Sequence, residues 1–122
     1  MKKISLKEST VADLLKTYVI AASAHGNAIA SGNYRAANAN HDIVAAAYRE
    51  LRTRGIEEQR KILGLLDHPD ESVRGWAASH ALEFAPDEGR VVLEVIAKGE
   101  GIRALAAETT LIEWRQGTLK FP

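Results

Sequence analysis

One packing motif appears twice in this chain and limits what it can fold into. Val73-Arg74, Ala77-Ala78 and Leu82 recur 29 residues later as Ile102-Arg103, Ala106-Ala107 and Leu111. Upstream, Ile62-Leu63 and Leu66 recur at the same spacing as Val91-Val92 and Val95. Large, small-small, large at three- and four-residue steps is what a helix needs to pack closely on neighbours at two faces. A unit of that kind cannot bury its apolar surface alone, so the repeat predicts helical hairpins stacked on one another. The rest of the chain agrees. Apolar residues keep helical spacing almost throughout, and no stretch alternates for long as a half-buried strand would.

Stop and start signals divide the pattern into six helices. The first is capped by Ser9 or Thr10 and runs to about Ser31, where Gly32-Asn33 ends it and caps the next. The second covers Tyr34 to Arg54, before Gly55. Shorter helices follow over 56–66, 71–84, 88–98 and 102–116, punctuated by Pro69 with Asp70 as a cap, Pro86 with Asp87 as a cap, Gly99, Gly101 and Gly117. Folding the first pair at Asn33 stacks Ile29 on Ala37, His25 on His41, Ala22 on Val44, Tyr18 on Tyr48 and Leu15 on Leu51. The expected architecture is therefore all-α, one domain of three antiparallel hairpins. A long hairpin spans 9–54, two repeats span 56–84 and 87–116, and a tail spans 117–122.

Composition excludes several classes. At 122 residues the chain supports one core, burying roughly two thirds of its unfolded surface. Sixteen Lys+Arg against sixteen Asp+Glu leaves no long-range basic field for nonspecific nucleic-acid or anionic-membrane binding. With no cysteine there is no disulfide framework, thiolate nucleophile or thiolate metal site. Met1-Lys2-Lys3 and the apolar run ending at Ala21-Ala22-Ser23-Ala24 faintly imitate a secretion signal. Asp13 and Lys16 interrupt what would be its uncharged middle, so a cytoplasmic protein without a membrane span is expected. Charge is unevenly spread: residues 1–55 hold eight Lys/Arg and four Asp/Glu, the remainder eight and twelve.

The run Leu66-Asp67-His68-Pro69-Asp70-Glu71-Ser72-Val73-Arg74, followed by Ala77-Ala78 and Ala81-Leu82, closely resembles a HEAT repeat. The resemblance covers residues 59–111 and treats the first hairpin as a degenerate, longer unit. It implies a HEAT/armadillo-like right-handed α-α superhelix. HEAT repeats usually carry an aspartate six residues before the arginine. His68 and Ala97 stand there instead, so a regular Asp/Arg ladder is not expected, and Asp67 or Glu71 is left as its substitute. The whole chain also resembles a bacterial family of small single-domain HEAT-like proteins of unknown function. The features that carry this are the long hairpin, Leu65-Leu66-Asp67-His68-Pro69, Trp76-Ala77-Ala78-Ser79-His80 and the ending Glu113 to Pro122. That resemblance implies a fold and no activity.

Val73, Ala77, Ala78, Ala81 and Leu82 define a buried side of the fourth helix. At ~100° per residue, Trp76, Ser79 and Glu83 point away from it, with His80 on the flank. In HEAT-like repeats this helix lines the concave face, formed here by helices two, four and six. Trp76 then anchors a surface rimmed by Ser79, His80, Glu83, Glu108 and Arg49. The competing expectation has Leu119 and Phe121 of the tail, or the first hairpin, folding over Trp76. His25 and His41, near Asn38 and Asp42, read as satisfied seam groups, with a divalent-metal or pH-sensitive role as the alternative. Arg74 and Arg103 read as inter-repeat braces, with joint anion binding as the alternative. Trp114 and Arg115 read as closing the last repeat, and Tyr18 and Tyr48 as seam packing.

No phosphate loop, HExxH, Gly-x-Ser-x-Gly or cysteine nucleophile is present, so no catalytic, cofactor or metal residue is assigned. The expected function is a non-catalytic protein-interaction module with a protein partner, and homodimerisation through an apolar end surface is an open option. An inhibitor or immunity-type partner of a toxin or enzyme is the first alternative. A nucleic-acid-binding HEAT-like protein is the second, disfavoured by charge.

Overall fold

A computed structural model describes residues 5–122; Lys2 and Lys3 of the signal-like opening lie outside the described residues. Among these the regular structure is helical, with six α-helices, two 3-10 helices and no strand. The chain divides into two compact units, one made of the chain up to Gln59 with Pro122 and one running from Arg60 to Phe121.

The first unit is built on α1 (Val11–Ala30) and α2 (Tyr34–Thr53). Thr10, not Ser9, caps α1, its hydroxyl accepting the Asp13 amide at 3.1 Å. The helix ends where Gly32 takes φ +76°, with the Gly32 amide donating to the Ile29 carbonyl and the Asn33 amide to that of Ala28. A left-handed residue is required there, and glycine meets it without Cβ strain. Asn33 then caps α2 by accepting the Ala36 amide at 3.1 Å, so stop and start share two residues.

Leu14, Tyr18, Ala21, Ala22 and Ala28 of α1 are buried, as are Ala37, Val44, Ala45, Ala47, Tyr48 and Leu51 of α2. The expected layers of Ala22 with Val44 and Tyr18 with Tyr48 are thus interior on both helices. In the last layer Leu14 is the wholly buried leucine, and the expected Leu15 is only partly covered. The Tyr48 hydroxyl accepts from Gln59 Nε2 at 2.8 Å, within the buried interior. Burial, then the neighbouring Tyr48, raises the Tyr18 hydroxyl pKa well above its ordinary value. Arg54 bonds Glu50 at 3.0 Å and also donates to the Leu6 and Lys7 carbonyls, tying the 3-10 turn Leu6–Glu8 to the end of α2.

The expected helix over 56–66 is broken. Ile56–Gln59 forms α3, and Arg60–Leu65 continues as a 3-10 helix. Gly64 lowers the helix propensity of this short segment, and 3-10 geometry is a common way to end a helix. In the second unit α4 (Glu71–Ala81) starts at its expected cap, Asp70, which accepts the Ser72 amide at 2.8 Å. It stops three residues short of Phe84. Leu82, Glu83 and Phe84 bond the carbonyls three residues back, at 3.3, 3.1 and 3.1 Å. Pro86 causes this by excluding the preceding residue from helical geometry; Ala85 has φ −145° and ψ 65°.

Proline itself fits the first turn of a helix, so α5 (Pro86–Ala97) begins before the expected Glu88. Asp87 is therefore a first-turn residue facing the positive helix end, not the cap. α6 (Ile102–Gln116) matches its expected bounds. Ala78, Leu82, Leu93, Ile96, Ala107 and Leu111 form the core of this unit. The approach of α5 to α4 depends on Gly89, where a Cβ would stand 2.5 Å from the Ala78 carbonyl oxygen.

Candidate functional site

Helix α4 is buried on more than one side. Ser72, Val73, Ala77, Ala78, His80 and Ala81 are all interior, which revises the one-sided view of the helix taken from its apolar residues. Trp76 remains half-buried at the surface. His80 was expected on the exposed flank; it is 3% exposed and belongs to the interior. Its ring lies 5.7 Å from the Trp76 ring, tilted by 43°, so the two form one aromatic step from interior to surface. Ser79 turns its hydroxyl back on its own helix, donating to the Gly75 carbonyl at 2.8 Å. Glu83 is exposed in the turn after α4, and Glu108 is exposed on α6. Arg49 is exposed on α2, in the first unit.

Leu119 and Phe121 of the tail pack, with Trp114, against the core cluster around Leu93 and Leu111. Arg115 donates to Glu94 at 3.2 Å, and Glu94 also accepts from Arg90 at 2.8 Å, so Arg115 ties α6 to α5.

Both repeat arginines have structural partners. Arg103 Nε donates to the Ser72 hydroxyl at 2.8 Å, linking α6 to the start of α4. Arg74 donates to the carbonyls of His68 and Pro69 at 2.7 and 3.0 Å and lies 3.8 Å from Glu71. In place of an Asp/Arg ladder, which the sequence did not lead one to expect, stand one bond across repeats and one brace within a repeat, with Glu71 as the carboxylate near Arg74.

In the first unit, burial and then the nearby His41 lower the His25 pKa, so the two imidazoles are electrostatic neighbours as the register implied. His41 nevertheless is exposed, its Nδ1 3.3 Å from Asp42 Oδ1, so this layer of the seam is open to solvent on the α2 side. Among the described residues no group of three His, Cys, Asp or Glu side chains is placed to hold a metal ion. No helix among them is long and apolar enough to cross a membrane.

Two residues escaped the sequence reading. Leu105 is 63% exposed and Ile112 45% exposed, both on α6. Leu105 stands 29 positions after Trp76, so α4 and α6 place a large apolar side chain outside the core at the same position of the repeat. The same repeat spacing carries this signal, and of the packing positions it matches in the second copy, Val91, Val95, Ile102 and Ala106 are themselves exposed.

Residues 12–113 match the family described as domain of unknown function DUF2019. The chain belongs to that family. The crystal structure of the protein RPA1889 from Rhodopseudomonas palustris CGA009 superposes on it with a TM-score of 0.87. Identity is 27%, over 98% of this chain and all of that one. DUF2019 membership is thus joined by a shared fold across nearly the whole chain. No curated protein matches it.

Proposed function

We propose that this chain is a non-catalytic protein-interaction module of HEAT/armadillo-like build, acting in the cytoplasm. Its binding surface is the side of α4 and α6 that carries Trp76 and Leu105. The observation that carries the reading is that these two residues, at one position of the repeat, stay outside a core that takes up most of α4. A large aromatic held partly at the surface supplies contact area at small entropic cost, which is why tryptophan is frequent at binding hot spots. The buried His80 ring lies 5.7 Å from the Trp76 ring, so the tryptophan has an aromatic neighbour on its interior side. Ser79, Glu83 and Glu108 give the rim hydroxyl and acidic character. That rim suits a neutral or basic protein surface and repels nucleic-acid phosphates.

The test is capture from native extract with wild-type and Trp76→Ala baits, paired with thermal melts of both. The expected result is a partner held by the wild type and lost by a Trp76→Ala chain that melts within a few degrees of it. Equal retention by both baits overturns this surface. A large loss of stability without any partner would make Trp76 a core residue.

A further inference from the structure

Charge is scarce along most of the first hairpin. Between Lys16 and Arg35 the titratable side chains are Tyr18, His25 and Tyr34, and between Arg35 and Arg49 they are His41, Asp42 and Tyr48. Histidine is the side chain whose charge ordinarily changes between about pH 5 and 8, so a proton taken up here goes to His25 or His41. The pair spans the seam. Helix α2 packs along α1 and presents His41 to the partly buried His25, with Asp42 Oδ1 3.3 Å from His41 Nδ1. Asp42 favours a proton on His41, and a charged His41 then opposes a second charge on His25 across the seam. Separation of the helices would hydrate His25 and relieve both burial and repulsion.

Packing on the two sides of this histidine layer is unequal. Away from the Gly32 turn the seam buries Leu14, Tyr18, Val44, Tyr48 and Leu51. Toward the turn it buries Gly26, Ala28 and Ala37, while Tyr34 is 65% exposed. Segments open locally where the fewest apolar contacts hold them, and glycine and alanine offer far less area than leucine and tyrosine. The two histidines therefore sit at the boundary between a heavily packed and a lightly packed half of one hairpin.

We propose that this hairpin is a proton-operated joint: protonation across the His25–His41 layer opens its turn end, residues 26–40, while the tyrosine-lined half stays closed. The device is independent of the Trp76 surface. The proton is bound more readily in the open form, so the closed form prevails above about pH 6.5 and loses ground as pH falls through the folded His25 pKa.

Amide hydrogen exchange of the full chain from about pH 7.5 to about pH 5, corrected for intrinsic rates, tests it. The expected result is opening of amides within 26–40 that rises on acidification by up to about tenfold per pH unit, the limit for one proton. Amides of Leu14, Tyr18, Val44 and Tyr48 should hold their protection over the same range. His25→Gln should flatten the rise, and His41→Gln should weaken it, in chains with unchanged circular dichroism at neutral pH. Protection of 26–40 that is indifferent to pH in the wild type overturns the proposal without recourse to either variant. A loss shared equally by both halves of the hairpin overturns it too, as does a rise that survives His25→Gln.

Discussion

Replacing Gly89 with alanine sets helix propensity against packing, and the geometry decides which wins. Glycine inside a helix costs about 0.8–1 kcal/mol relative to alanine, so propensity alone favours the substitution. At Gly89, however, a Cβ would lie 2.5 Å from the Ala78 carbonyl oxygen, 3.1 Å from the Leu82 nitrogen and 3.2 Å from the Ala81 Cβ. Ordinary contact begins near 3.4 Å, so α5 would have to withdraw from α4 by about 0.9 Å. Two of the three obstructing atoms are backbone, which cannot rotate aside as a side-chain tip can. Overpacking of this kind costs about 1–3 kcal/mol, and the backbone obstruction places it near the top of that range. Net of propensity, Gly89→Ala should destabilise by about 2 kcal/mol, or a Tm lower by roughly 6–10 °C. Gly75 is the matched control. A Cβ there meets Ile96 Cδ1 at 3.8 Å, an ordinary contact, so Gly75→Ala should gain about 0.5–1 kcal/mol. Urea and thermal melts followed by circular dichroism measure both. A Gly89→Ala chain as stable as the wild type would refute the argument that α5 approaches α4 through that glycine.

Three further predictions follow from the interior of each unit. Tyr48→Phe removes the acceptor of the Gln59 Nε2 bond and should cost about 1–3 kcal/mol, read in urea melts; a change under about 0.5 kcal/mol would show that Gln59 finds another acceptor. Ser72→Ala leaves Arg103 Nε without its hydroxyl partner and should cost about 1–2 kcal/mol by the same assay, whereas a neutral result would remove this bond from the links that hold α6 to α4. The folded-state pKa of His25 is lowered, by burial first and by His41 second. The unfolded chain therefore binds the His25 proton more readily, and the stability that His25 contributes is present above about pH 6.5 and lost as pH falls through the folded pKa. Tm measured between pH 7.5 and 5 should drop on acidification, and His25→Gln should reduce the slope; an unchanged slope would sink the assignment.

Local chemistry made much of the secondary structure readable in advance. Thr10, Asn33 and Asp70 cap their helices because short polar side chains reach the free amides of a first turn, whatever surrounds them. The long hairpin was readable for the same reason: a three-residue connection, Ser31-Gly32-Asn33, leaves α2 few ways to lie against α1, and the Tyr18 and Tyr48 layer follows. The candidate site was less legible. Trp76 lies half-buried, between the exposed and the covered expectation, and His80, expected on the flank, is interior. Angular position on a helix tells which residues share a side, not how many sides the fold will cover.

Repeat spacing, caps, breakers and charge balance are properties of neighbouring residues, and on their own they determined an all-helical chain with no positive sign of catalysis. Tertiary structure alone decided that α4 is covered on more than one side, burying His80, while the matching helix α6 is covered on one. The same motif, Val73-Ala77-Ala78-Leu82 and Ile102-Ala106-Ala107-Leu111, is wholly interior in the first copy and half exposed in the second. Burial depends on what other elements bring against a face, so two identical patterns can become a core in one repeat and a surface in the next.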